Sequence, residues 1–569
     1  MKKHRMFSAF AVIMVAGLIV AACGGADPTA TPQPTSTPRP TATPVPAPAP
    51  GPQPVLMPAA QKLGGTLQLP VLASQPYGFD VFENGGPALA GEEIWQSVLN
   101  NLVVPDSYAQ GSPLAGDTVE NWEISSDGRE MTFFLRPGIR YHDGDDFNAD
   151  DVVYNIDRAW KPRSNLMSFF KVPFSVISSV EKVDNLTVRV TLSEPSNSLL
   201  GVMGRNVFLM YPSHVPFPEQ LDAFKKNPIG TGPFKVDDIQ PQVKMSVVRN
   251  GDYFWGDLPY MDGVTFTMLR GEAVIAGFRT GNLDATNFNS NEMKPDRVAR
   301  ITEATGFIAQ RVGQGPALIV LNQREPFTNP LVRKAFHLAI DRKAMVDIWR
   351  GGVGSFLAAP LLAPELGGQW GIPEPELAGQ PGYRADKSAD LARAKELILE
   401  SGIDPSSFTL EVLGGSSWPE WGPIVDQTVR DLGFKTNLSA LSGSENKVRV
   451  RGGDFDVYLI TASISFDDPS NYLSVWVASG SSNNYGKWAD DRIDELLVDQ
   501  DKVLDVAARK QMLLELQRRI IDTHFGAYIP AIIRLANIGH QPWVKNYYTN
   551  VAFNHSPIFR WEQVWLDKA

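Results

Sequence analysis

The chain has a single cysteine, and Cys23 stands at the end of an apolar leader, outside any segment that could build a core. No internal disulfide can form, so a large folded body must be held by packing alone. Ahead of Cys23, residues Lys2, Lys3, His4 and Arg5 make a basic start, and residues 7–20 run without a charge. As a helix that run is about 20 Å long, short of a hydrocarbon layer of about 30 Å, and reads as an export signal. Residues 26–61 are rich in Pro, Thr and Ala, as in Pro38-Arg39-Pro40-Thr41-Ala42-Thr43-Pro44. Such a tract has no apolar face to bury and is expected to be an extended spacer, up to about 100 Å at about 3.1 Å per residue.

The core is thereby confined to residue 62 onward. Of 569 residues this leaves more than one hydrophobic core organises, so two or more lobes are expected. A hydrophobic content of 43% with 20% charged residues is that of a globular protein, and a net charge of −11 argues against nucleic acid or an anionic membrane surface as partner. Short β-rich runs alternate with amphipathic helical patterns, which means α plus β. Residues 65–72, 131–135 and 186–192 read as strands. Residues 332–340 follow a helix start at Asn329-Pro330, and residues 389–399 and 507–521 carry apolar stripes at helical spacing.

No catalytic or metal signature is present. The seven histidines are scattered, and none pairs with another at metal-ligand spacing. Asp143-Gly144-Asp145-Asp146 lacks the alternating oxygen ligands and distal Glu of a calcium loop and reads as a solvated turn. There is no Gly-x-Ser-x-Gly elbow and no Gly-x-x-x-x-Gly-Lys-Ser/Thr loop. The expectation is a binding protein with no catalytic residue, metal or cofactor.

Two resemblances sharpen this. Val20-Ala21-Ala22-Cys23 resembles the bacterial lipobox, which implies a signal peptide over 1–22, lipidation at Cys23 and a lipidated tether over 23–61. Further on, Asn121-Trp122-Glu123, Thr132-Phe133-Phe134-Leu135-Arg136-Pro137-Gly138 with Tyr141-His142-Asp143-Gly144, and Phe147-Asn148-Ala149-Asp150-Asp151-Val152 stand in order. They are followed by Asn227-Pro228-Ile229-Gly230-Thr231-Gly232-Pro233-Phe234, Leu321-Asn322-Gln323-Arg324-Glu325-Pro326-Phe327 and Ala339-Ile340-Asp341-Arg342. Together these resemble the extracytoplasmic solute-binding proteins of family 5, from about residue 62 to 569. His142 and Asp143 read as structural there, and the glycines of the Gly-Thr-Gly-Pro run as suppliers of positive φ.

The resemblance implies an α/β, two-lobed periplasmic-binding-protein-like fold (type II, cluster C) with an inserted subdomain and a hinge. Lobe I would comprise 62–85, 212–318 and 536–569, the inserted subdomain 86–211, and lobe II 319–535. It also implies a monomer on the outer face of the bacterial cytoplasmic membrane or in the periplasm. There it would be held to the membrane only by lipid and would deliver a peptide, oligosaccharide, metal chelate or other small solute to ABC permease subunits. A sensor or adhesin without a permease is the alternative use of such a fold.

Between residues 455 and 469 the chain departs from the oligopeptide binders. Their Trp and ammonium-pairing Asp fall here on Ala462 and Ser465, and a serine hydroxyl cannot compensate a buried ammonium. Free-amine peptides are thus disfavoured, unless Asp467 or Asp468 substitutes. Candidate solute contacts are Ser74, Gln75 and Tyr77 after the opening strand, then Gly414, Ser416, Ser417, Trp418 and Trp421, whose rings offer stacking faces. Ala462, Ser465, Phe466 and Asp468 form a third group, and Asn484 with Tyr485 a fourth.

Overall fold

The structure, a computed structural model, describes residues 64–71, 82, 92–106, 113–161, 170, 173–205, 208–286, 293–415, 420–462, 468–547 and 560–568. Cys23, Ser74, Gln75, Tyr77, Ser416, Ser417, Trp418, Ser465 and Phe466 lie outside these residues, as do the leader and the Pro/Thr tract. Three sheets of four or more strands organise the described part. In the first, Thr66–Val71 runs parallel to Gly263–Met268, which pairs in turn with Lys244–Arg249 and then Phe234–Gln240. Leu67, Leu69 and Val71 alternate inward and are buried, the period-2 pattern that places one strand face on a core.

The second sheet has the order Val119–Ile124, Glu130–Leu135, Thr187–Leu192, Ile177–Asp184, all antiparallel. Met131, Phe133 and Leu135 face Val188, Val190 and Leu192 in its buried layer. Helix Ala149–Trp160 begins in a capping box: Asn148 accepts from Asp150 N, and Asp151 accepts from Asn148 N. Just before it, the chain turns at Gly138 and Gly144, both at positive φ. His142 in that turn accepts a hydrogen bond on Nδ1 from Gly230 N and donates from Nε2 to Gly232 O. This tautomer ties the second sheet to the Gly-Thr-Gly-Pro run at the edge of the first, which is the structural role expected of His142.

The glycines of that run do something other than expected. Neither Gly230 nor Gly232 is among the positive-φ residues. A Cβ at Gly230 would lie 2.0 Å from Val98 O, and one at Gly232 would lie 2.4 Å from Val98 C. Close backbone approach, not left-handed geometry, requires glycine at both positions. The acidic turn is exposed as expected, and it also meets another segment: His214 Nε2 lies 2.9 Å from Asp143 Oδ2 and 3.5 Å from Asp145 Oδ2.

The third sheet has six strands, in the order Gly354–Ser355, Ile529–His540, Ile308–Leu321, Val457–Thr461, Thr409–Gly415, Lys435–Leu441. The last three are mutually parallel. Ile308–Leu321 and Ile529–His540 pair antiparallel from Ile308↔His540 to Ile319↔Ile529, with register shifts at Gly313/Gly315 and Ala317/Leu318. Their outer end leaves the third sheet and reaches the first. Ala285 bridges to His540, Gln541 N donates to Asp284 O, and buried Asp284 accepts from Gln68 N on the first sheet's edge strand. Helices Pro330–Ala339, Ser388–Glu400 and Val506–Asp522 form where helical spacing placed them, the first two packed on each other, with Asn329 and Asp505 as side-chain caps.

A buried polar cluster joins the second layer to the third. Asp501, in helix Asp491–Lys502, accepts from Ser196 Oγ, Ser198 N and Ser198 Oγ at the start of helix Asn197–Met203, and from Ser470 Oγ. Arg509 donates to Asp468 Oδ2 at 2.8 Å and to Gln500 Oε1 at 3.0 Å, and its guanidinium lies over Trp370. Burial, and then the neighbouring Asp468, push the Asp501 carboxyl up. One cation thus serves two buried carboxylates. Arg509→Ala should lower stability by about 3–5 kcal/mol at neutral pH, because it strands both charges in a dry site. The cost should shrink as pH falls and the Asp501 carboxyl, pushed up by burial, protonates, which urea unfolding at pH 7 and pH 5 would measure.

His142 gives a second prediction. Burial pushes its imidazole down to about 4 from an ordinary value of 6.5, so the fold holds it neutral while the unfolded chain takes up a proton. Its contribution is therefore complete above about pH 6.5 and is lost as pH falls through about 4, on the order of 3 kcal/mol across that window. His142→Asn should flatten the loss of stability between pH 7 and 4.5, read from the same urea midpoints.

Candidate functional site

Parallel strands present ligands at their carboxyl ends. In the third sheet those ends are Gly415 and Thr461, and the long strands leave the sheet beside them. Among the described residues a Cβ at Gly415 would meet nothing nearer than 4.0 Å, and one at Gly414 nothing nearer than 3.7 Å. Gly414 thus offers backbone and space. Ala462, next to Thr461, is fully buried; its N donates to Pro316 O and its carbonyl accepts from Arg534. It contributes a carbonyl anchored in the sheet, not a side-chain wall.

Arg534 is the cation of this region. It lies on Ile529–His540, is 4% exposed, and is flanked in register by Gly315 on one side and Gly354 on the other. With no side chain on either flank, the guanidinium reaches across to donate from Nη2 to Ala462 O at 3.1 Å. Its Nε makes no hydrogen bond. Half-buried Arg350 approaches the same strand, donating from Nη2 to Leu535 O at 2.8 Å, and its Nε is also unpartnered. Burial, and then the Arg350 charge, hold the Arg534 guanidinium down to about 9. No carboxylate among the described residues forms an ion pair with either. Tyr472, whose hydroxyl bonds Tyr528, lies near enough to influence Arg534, and Tyr528 in turn donates to Pro360 O.

Several expected contacts have other roles. Trp421 is 1% exposed and stacked on Trp349 at 4.7 Å and 22°, so its face is occupied by another indole inside the lobe. This corrects its reading as a free stacking surface. Asp468 caps helix Pro469–Val477 through Ser470 N and holds Arg509, which leaves it committed and unable to substitute for an ammonium partner. Asn484 is buried and donates from Nδ2 to Trp488 O, while its Oδ1 accepts from Trp488 N: a local turn bond. Tyr485 packs edge-on to Tyr458 and Trp476. Asn484 and Tyr485 line a cavity of about 370 Å³ with Val450, Arg451, Ser481 and Lys487. The sequence reading missed Arg534 and Arg350. The signal for Arg534 was present: a lone charge inside the apolar run Ile529-Pro530-Ala531-Ile532-Ile533-Arg534-Leu535-Ala536.

Known proteins match this architecture. A family model described as bacterial extracellular solute-binding proteins, family 5 Middle, matches residues 114–484. Di/tripeptide-binding protein 4 of Pseudomonas aeruginosa is 27% identical over 517 residues, covering 85% of this chain and 92% of that one. Heme-binding protein A of Haemophilus influenzae is 25% identical over 489 residues, covering 79% and 84%. Among solved structures, the periplasmic binding protein DppA from Helicobacter pylori in complex with peptide STSA superposes with a TM-score of 0.70 at 22% identity. It covers 89% of this chain and 99% of that chain. The substrate-binding protein CtaP from Listeria monocytogenes gives 0.72 at 20% identity, covering 89% and 100%. The fold is the two-lobed α/β fold of these proteins, and the role is binding rather than catalysis. The chain belongs to the bacterial extracellular solute-binding proteins of family 5.

Proposed function

We propose that this protein is a lipid-anchored extracytoplasmic receptor that encloses a small organic or peptide-like solute between two lobes and delivers it to an ABC importer permease. Family membership supports the receptor role, since family 5 binding proteins work with such permeases. The observation that carries the reading is the pair Ile308–Leu321 and Ile529–His540. It passes from the carboxyl ends of the third sheet's parallel strands to the first sheet, where a solute can touch both bodies. On this reading lobe I comprises 62–85, 212–318 and 536–569, the insert 86–211 and lobe II 319–535. Closure is then a population shift that a solute contacting both lobes favours.

The leader, Cys23 and the Pro/Thr tract support a lipid tether, with several acyl chains supplying stable anchoring. The names of relatives that bind di/tripeptides support peptide-like solutes, while Ser465 argues against those presenting a free ammonium. Native mass spectrometry of the chain purified without refolding should show a retained solute lost on unfolding. Cys23→Ser should abolish membrane association and leave that solute in place. Normal growth on every imported nutrient after gene deletion, with ligand-dependent binding to a receptor kinase, would replace the importer reading by a sensor.

A further inference from the structure

We infer that the solute carries a carboxylate and that Arg534, assisted by Arg350, is the group that receives it. The inference rests on the receptor reading and names the charge of the solute. Arg534 is the only arginine of the long strand Ile529–His540, and it is held at the cleft end of the third sheet with glycine on both flanks. Two other buried guanidiniums near this sheet carry fuller sets of acceptors. Arg342 shows this in the same lobe: it is equally buried and donates to the carbonyls of Pro530, His337 and Gly382. Arg509 is likewise committed to Asp468, Gln500 and Ser470. Among the described residues Arg534 instead makes one hydrogen bond, to Ala462 O, and its Nε has no partner.

Arg350 repeats the arrangement one residue along the strand, with one bond to Leu535 O and a free Nε. The acid nearest to it in effect is Glu420, which also lies 3.8 Å from Lys294. Each guanidinium has an Nε without a described acceptor, and the Arg350 charge adds to burial in lowering Arg534, a cost that an anion at this place would offset. A planar carboxylate fits: its two oxygens accept from a guanidinium edge at a geometry that a lysine or a hydroxyl cannot supply. At the same end of the sheet, with two strands intervening, Gly414 and Gly415 add no side chain of their own, and a Cβ there would meet no described atom nearer than 3.7 Å.

The test uses two matched pairs of probes on the full chain: N-acetyl-trialanine against its C-terminal amide, and succinate against succinamide. Thermal shift and calorimetry should show that the acids bind and the amides do not. Arg534→Gln should weaken the acids by about thirtyfold or more, and Arg350→Gln by less. Without any probe, Arg534→Gln should melt at or above the wild-type temperature, because it removes an unoffset buried charge. Equal binding of acid and amide, undiminished in Arg534→Gln, would overturn the carboxylate subsite and leave the receptor standing. Binding of none of the four probes would overturn the subsite as well, and with no solute retained in native mass spectrometry it would overturn the receptor too. Should Arg534→Gln melt far below wild type, half-buried Arg350→Gln decides: unchanged affinity for both acids there would refute the inference.

Discussion

The antiparallel pairing of Ile308–Leu321 with Ile529–His540 is the constraint on which the other layers hang. Its inner half is the centre of the third sheet, and its outer end is fastened to the first through Ala285, Thr286 and Asp284. Asp284 is fully buried, yet it accepts from Gln68 N and Trp543 Nε1 and pairs with Lys568, so its charge is satisfied on every side. A ladder fixed at both ends can bend only where its register is already irregular. Those places are Gly313/Gly315 and Ala317/Leu318, beside the residues that face Arg534 and Ala462. On the proposed reading, bending of this ladder and the carboxylate subsite would share one stretch of backbone.

The second layer is attached by polar chemistry instead. Asp501 collects three donors from Ser196 and Ser198 while Arg509 stands behind it, and Asn197 Nδ2 bonds the carbonyls of Asp501 and Val503. Such a junction contributes little net energy compared with an apolar one of the same area, since desolvation offsets most of the attraction. It does impose a single register, because any slip strands a buried carboxylate.

Much of this was legible before any coordinates. Alternation in residues 66–71, 131–135 and 187–192, and helical spacing after Asn329 and near residues 388 and 506, located elements because periodicity is a local property. The turn around His142 reads as scaffold from its resemblance to the family's motif, although the partners that fix it, Gly230 and Gly232, lie far along the chain. What was not legible depended on partners far along the chain. The glycines of 230–232 exist because Val98 passes against them. Trp421 looked available only because Trp349, seventy-two positions away by subtraction of their residue numbers, was not known to cover it. Asp468 looked like a substitute ligand until Arg509 was seen to hold it. Binding residues fail in this way more than core residues do: a polar side chain near a loop reads alike whether its partner is solvent, a solute or a distant arginine.

The charge of the cleft follows from setting the two departures side by side. In peptide binders that capture an ammonium, the segment after this strand must supply a carboxylate, and here the aligned position is Ser465. Losing that acid alone would leave a neutral cleft. The third sheet goes further and places two arginines together, one on the strand beside the edge strand Gly354–Ser355 and one on the turn before that edge strand, with no described carboxylate in an ion pair with either. Replacing an anion by a serine while retaining unneutralised cations reverses the sign of the local field, and in a low-dielectric cleft that sign outweighs shape in rejecting a wrong solute. On the proposed reading, the same scaffold that positions a carboxylate for a cationic group can serve an acidic solute by changing side chains on the two strands that flank Ile308–Leu321. The fold itself need not change.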